Sequence, residues 1–161
     1  MTDAPGTRRL ADALVAARAE LMDALAAVEP GSLTTPGLIG EWSARELIAH
    51  LGYWAGHAVE IIHAAEEGRI DEVGEGEPLT DDVNATVARI ARETDLATVR
   101  KREAASVEAL LERLRRLDAG VLSLRLPDGA TLEAGIEEDA SAHYREHAED
   151  LRRTLAEGAR G

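Results

Sequence analysis

Cysteine and phenylalanine are absent from this chain. Without cysteine there is no disulfide framework, no thiolate zinc site and no catalytic thiol of the protein's own. Aromatic residues amount to two Trp and two Tyr. The core must therefore be built from Leu, Ile, Val and Ala, which suits packed helices. Positive charge is also scarce: 18 Lys and Arg face 31 Asp and Glu, a net charge of −13. Such a surface repels phosphate backbones, so no nucleic-acid partner is expected, and anionic membrane surfaces are disfavoured likewise. No stretch approaches the roughly 20 apolar residues of a membrane span. The start, MTDAPGTRRLADAL, lacks the apolar core of a signal peptide. A cytoplasmic protein, with 1–161 as a single domain, is the expectation.

The apolar residues that are present recur at helical spacing. Leu10, Leu14, Leu21, Leu25 and Val28 share one face, predicting a helix over about 8–28. Pro30, Gly31, Pro36, Gly37 and Gly40 then mark a loop. Ser43 followed by Glu46 reads as a capping box, with Trp42 and Leu47 as a hydrophobic staple. The second helix carries Leu47, Leu51, Trp54, Ala58, Ile61 and Ala65 and should stop at Gly68. An acidic, glycine-bearing connection leads to a third helical region over 79–117. Its two apolar registers do not join, so a break is expected at Thr94 and Asp95. The stretch around Pro127-Asp128-Gly129 reads as a short hairpin or extended segment. The last helix begins between Thr131 and Glu137 and runs to about Gly158. The expected fold is all-α, a four-helix bundle.

Histidines carry the chemical signal. On the last helix the stripe Ile136, Ala140, Leu151, Leu155 is filled in by His143 and His147, four residues apart and so on one face. Two imidazoles in this arrangement can share one metal ion at about 2.0–2.1 Å; two separately hydrogen-bonded buried histidines are the alternative. A third ligand must come from another helix. His50 stands beside Leu47 and Trp54, one turn into the second helix, and is the favoured candidate. His57 lies about 10 Å further along the axis, as pocket wall or as a group supporting a ligand. His63 faces away from Trp54 and should be solvated. HYREH (His143–His147) also fits the H-x-x-E-H zinc-peptidase pattern, but only fourteen residues follow, too few for the further ligand. Glu46 and Glu146 could orient a ligand ring, although Glu46 already belongs to the capping box and Glu146 sits on the helix flank. Trp54 is a pocket candidate. Tyr53 and Tyr144 could offer a hydroxyl to a pocket, or pack with the hydroxyl exposed.

Two segments resemble a known family. GEWSARELIAHLGYW (Gly40–Trp54) is similar to the Trp-x4–5-Asp/Glu-Leu/Val-x-x-His signature of the DinB/YfiT-like family. AHYREHAEDLRRTL (Ala142–Leu155) resembles its closing His-x-x-x-His helix, and Asn84 resembles a position in the same branch. The resemblance implies a four-helix bundle of DinB/YfiT type with a non-standard helix order. It also implies a divalent metal, zinc or nickel, on His50, His143 and His147, and a homodimer. Relatives include enzymes that use low-molecular-weight thiols, such as mycothiol-dependent maleylpyruvate isomerase and bacillithiol S-transferases, and others described as metal-dependent hydrolases.

Three functions follow as expectations. A three-His site leaves a coordination position open, at which a thiol or a water can be activated. The foremost reading, from the family resemblance and the open three-His geometry, is transfer of a low-molecular-weight thiol of mycothiol or bacillithiol type to a small electrophile, and the lack of cysteine is compatible with a nucleophile that arrives on the cofactor. A hydrolase is the alternative, and non-catalytic sequestration of a toxic small molecule the third. The pocket is expected over the metal, between the start of the second helix and the middle of the last.

Overall fold

The computed structural model describes residues 5–161. Helix α1 (Pro5–Ala26) buries Leu10, Leu14, Ala17, Leu21 and Leu25 along one stripe. Helix α2 (Ala44–Glu66) opens on the expected cap: the Glu46 carboxylate accepts from the Ser43 backbone N–H at 2.5 Å. Gly68 then takes φ +73°, a left-handed conformation that glycine adopts without steric cost, and the helix ends. The interruption expected near Thr94 is real. Helix α3 (Thr80–Arg92) stops, and α4 (Leu96–Arg116) restarts on the Asp95 side chain, which accepts from Thr98 N at 2.8 Å.

No strand forms among the described residues. The segment before the last helix is extended, with one isolated bridge between Arg125 and Thr131. The final helical stretch is split. Helix α5 (Leu132–Asp139) and helix α6 (Ser141–Gly158) meet at Ala140, whose φ −122° and ψ −98° leave the helical region.

Helix α1 packs on α6 and α4, while α2 packs on α4, α3 and α5. The chain-consecutive α1 and α2 are therefore not packed as neighbours, in agreement with a non-standard helix order. A continuous core of leucine, isoleucine, valine and alanine runs between α1, α2, α4, α5 and α6, with Tyr144 its one aromatic. Helices α2 and α4 approach closely at Gly52, where an added Cβ would stand 2.9 Å from Glu103 Cα. Among the described residues no helix is long and apolar enough to cross a membrane.

Candidate metal centre

The register of α6 differs by one step from that expected. Its core positions are Tyr144, Ala148 and Leu151, all fully buried. His143 and His147 stand beside that stripe, half-buried, facing α2 rather than the middle of the core. The physical reason is the break at Ala140. It resets α6 relative to α5, so the stripe from Ile136 does not run straight on through 143 and 147.

This rotation brings both rings to His50, which is 6% exposed on α2. One ligand-capable nitrogen from each of the three histidines falls within 4.8 Å of the others. His50 Nε2 and His143 Nε2 are 2.8 Å apart. The ring centroids lie 4.6, 4.9 and 5.3 Å from one another. Two nitrogens on one tetrahedral zinc are about 3.4 Å apart for bonds of about 2.1 Å, so this spacing is of the right size.

Electrostatics hold the rings neutral. Burial, reinforced by the two other rings, pushes the His50 imidazole down to about 3. Burial and His147 take His143 down to about 4. Burial lowers His147 as well, against the nearby Asp150 and Glu146 carboxylates. Neutral rings present lone pairs, the form a metal needs. The Asp139 main chain acts weakly the other way on the His143 ring, favouring its charged form. His50 Nδ1 and His147 Nδ1 are buried and make no close hydrogen bond, with Asn84 and Asp150 the polar side chains nearest these rings. Asp150 Oδ2 stands 3.5 Å from His147 Nδ1, close enough to steady a ligated ring after a small rotation.

The cluster forms the floor of a cavity of about 720 Å³. Trp54, His57 and Glu146 line it as well. The Trp54 indole donates to Asn84 Oδ1 at 2.9 Å, which ties α2 to α3 across the cavity wall. His57 is paired through Nδ1 with Asp139 Oδ2 at 2.6 Å, and its Nε2 lies 3.7 Å from Glu77. The Asp139 hydrogen bond raises the His57 pKa above its ordinary value.

Tyr144 is not at the cavity. It is fully buried on the opposite side of α6, and its hydroxyl donates to Glu103 Oε1 at 2.7 Å. Arg18 donates to both Glu103 oxygens at 2.7 Å, so the buried carboxylate is fully paired. This triad escaped the sequence reading, yet it left a signal. Glu103 falls at the interior position between Val99 and Val107 on the α4 stripe, where an apolar residue is the rule. Asp139 left a signal too, one turn before His143. Glu46 serves the cap, and His63 is exposed beside Glu67.

The comparisons now bear on this geometry. Residues 14–147 match the family described as the mycothiol maleylpyruvate isomerase N-terminal domain, of the DinB-like superfamily. The chain belongs to that family. A solved structure of an uncharacterised protein from Escherichia coli UTI89 has the same fold, with a TM-score of 0.79 over 95% of this chain and 94% of that one, at 15% identity. Among curated proteins, none matches the chain.

Proposed function

We propose that this protein is a metal-dependent enzyme in which His50, His143 and His147 hold one divalent ion, zinc or nickel. We further propose that it transfers a low-molecular-weight thiol of the mycothiol or bacillithiol type to a small electrophile. The observation that carries the reading is the convergence of three neutral imidazoles on the floor of a large open cavity. The family description, which names mycothiol, supports the choice of thiol.

When bound, a divalent ion with an open position would lower the pKa of a thiol placed there and present it as the thiolate. The remaining work falls to the chain. His50 and His143 offer Nε2. Trp42 and Trp54 form cavity wall and keep bulk water from two sides. His57 lies above the floor with Nδ1 tied to Asp139, so that Nε2 is the nitrogen able to exchange a proton with a bound molecule. The absence of cysteine is consistent with a nucleophile that arrives from outside.

Replacing His147 with Ala removes one of three ligands while leaving the core stripe of α6 untouched. Thiol-dependent turnover of an electrophile should fall at least a hundredfold, on the order seen for lost metal-supporting groups, with helical circular dichroism retained. The assay compares rates with and without added thiol, and with and without metal. A rate that needs metal but not thiol makes the protein a hydrolase; stoichiometric binding without metal makes it a sequestering protein.

A further inference from the structure

His57 and Asp139 form a second titratable pair in the cavity, apart from the three clustered histidines. Helix packing builds it. Helices α2 and α5 lie against each other, and Gly135 lets them come close, since a Cβ there would stand 3.3 Å from Ile61 Cδ1. Asp139 is one turn on from Gly135, and His57 is one turn back from Ile61. The register that seats Gly135 on Ile61 therefore seats Asp139 on His57, where Oδ2 meets Nδ1 at 2.6 Å. Both side chains line the cavity and are mostly buried, 20% and 14% exposed. The carboxylate keeps Nδ1 as an N–H donor, so a second proton on the ring stands on Nε2. That nitrogen is 3.7 Å from Oε2 of the exposed Glu77, too far for a hydrogen bond. The Asp139 hydrogen bond favours the charged ring against the cost of burial, and the charges of Asp139, of Glu77 on the α2–α3 connection and of Glu60 on α2 add to it. Glu72, Glu75 and His63 stand on the outer side of the ring, and Arg69 there is held by Glu67 and Glu72.

We infer that His57 is the general acid of this site, that Asp139 is its positioning residue, and that the electrophile is one whose oxygen is protonated as the nucleophile adds, an epoxide. This rests on the proposed thiol reading of the same site and names the electrophile class. His57 lies two turns beyond His50 on α2, about 10 Å along the axis. That gap holds a sulfur, the carbon it attacks and the oxygen that carbon releases. The sulfur–carbon bond forms, the carbon–oxygen bond of the epoxide ring breaks, and the oxygen takes the Nε2 proton. The proton given up by the thiol restores the charged imidazole. Thiol and epoxide thus become one hydroxy thioether, with no oxidant or reductant consumed. Displacement of a halide needs no such proton and gains nothing from His57.

Styrene oxide and benzyl chloride carry the same aromatic ring and separate the two cases. With zinc-loaded protein and mycothiol, kcat/KM is measured for each across neutral pH, and the ratio of the two cancels the ionisation of the thiol. His57→Gln should lower the oxide rate about a hundredfold and leave the chloride rate within about threefold. In the wild type the ratio should fall as pH rises through the His57 pKa. In Asp139→Asn that fall should begin at lower pH, because the carboxylate that favours the charged ring is gone. A merely structural tie between α2 and α5 would move both rates together and leave the ratio and its pH dependence alone. The second measurement needs neither metal nor substrate. In nitrogen-15 NMR of the chelated protein, His57 should keep its proton on Nδ1 throughout its titration, with Nε2 alone titrating, and Asp139→Asn should admit the other tautomer. A ratio that is flat with pH in the wild type and unmoved by His57→Gln, or a neutral His57 protonated on Nε2, overturns the inference, while thiol-dependent turnover of the chloride would leave the thiol reading standing. If the rates need metal but no thiol, the thiol reading fails, and the same ratio with water as nucleophile decides the role of His57. No turnover of the oxide under either condition overturns it. Should a variant not fold, the wild-type ratio and the wild-type tautomer decide.

Discussion

Two tyrosines and five histidines illustrate how far residue type alone can mislead. Tyr144 sits on the same helix as His143 and His147, within reach of a pocket by sequence, but its hydroxyl serves Glu103 on the far side of α6. A buried carboxylate needs every partner it has, and here Arg18 and Tyr144 supply them from two other helices. Tyr144→Phe removes one charge-assisted hydrogen bond and leaves the cluster of His50, His143 and His147 in place. The expected result is a loss of about 1.5–3 kcal/mol of unfolding free energy, measured by urea titration, with metal binding unchanged. A loss of metal affinity comparable to that of His147→Ala would contradict this separation of roles.

Among the elements, α2 is the one on which most depends. It carries His50, Trp54 and His57 on its cavity side and Gly52 on its contact with α4. A methyl at Gly52 would meet the Glu103 backbone at 2.9 Å, and backbone cannot swing aside as a side-chain tip can. Gly52→Ala should therefore push α2 off α4 and disturb the Glu103 pairing. Overpacking of this kind costs about 1–3 kcal/mol. Gly56→Ala is the control, since its new methyl would find only Ser106 Oγ, at an ordinary 3.7 Å. Thermal unfolding of the two variants should differ clearly, with Gly52→Ala the less stable; equal melting temperatures would mean the helices adjust freely.

For the molecule as a whole, the three depressed histidines couple stability to pH. In the metal-free protein the rings of His50 and His143 stay neutral down to about 3 and about 4, and His147 is lowered too. The unfolded chain titrates near the ordinary histidine value of about 6.5. Below that pH the unfolded state takes up protons that the folded state refuses, so stability falls as pH falls from about 6.5. His57 works the other way. Its pKa is raised, so its contribution is complete below about 6.5 and is lost as pH rises through its folded value. Three rings against one give a net decline, and urea midpoints of chelator-treated protein should be lower at pH 5.0 than at pH 7.5. Zinc at a hundredfold excess over its dissociation constant should add about 2.7 kcal/mol at pH 7.5. Helical content at 25 °C should survive chelation, because the leucine-rich core does not depend on the ion. A chelator that unfolds the chain outright would make the ion structural.

Much of this was legible in the residues themselves, because helices declare themselves through local spacing. The stripe from Leu10 to Leu25, the Ser43–Glu46 cap, the stop at Gly68 and the restart at Asp95 all rest on interactions within a turn or two of chain. The His143–His147 pair is of the same kind, since four residues make one turn. Other features depend on segments that only folding brings together. Which α2 histidine stands beside His143 and His147 depends on the level at which α2 faces α6, and there it is His50. The split at Ala140 turned His143 and His147 out of the core stripe and towards α2, and no local pattern announced it. The carboxylates that line the cavity come from the α2–α3 connection, the extended segment, α5 and α6. Periodicity encodes which side of a helix is apolar. It does not encode which other helix stands opposite, and a site shared between helices is decided there.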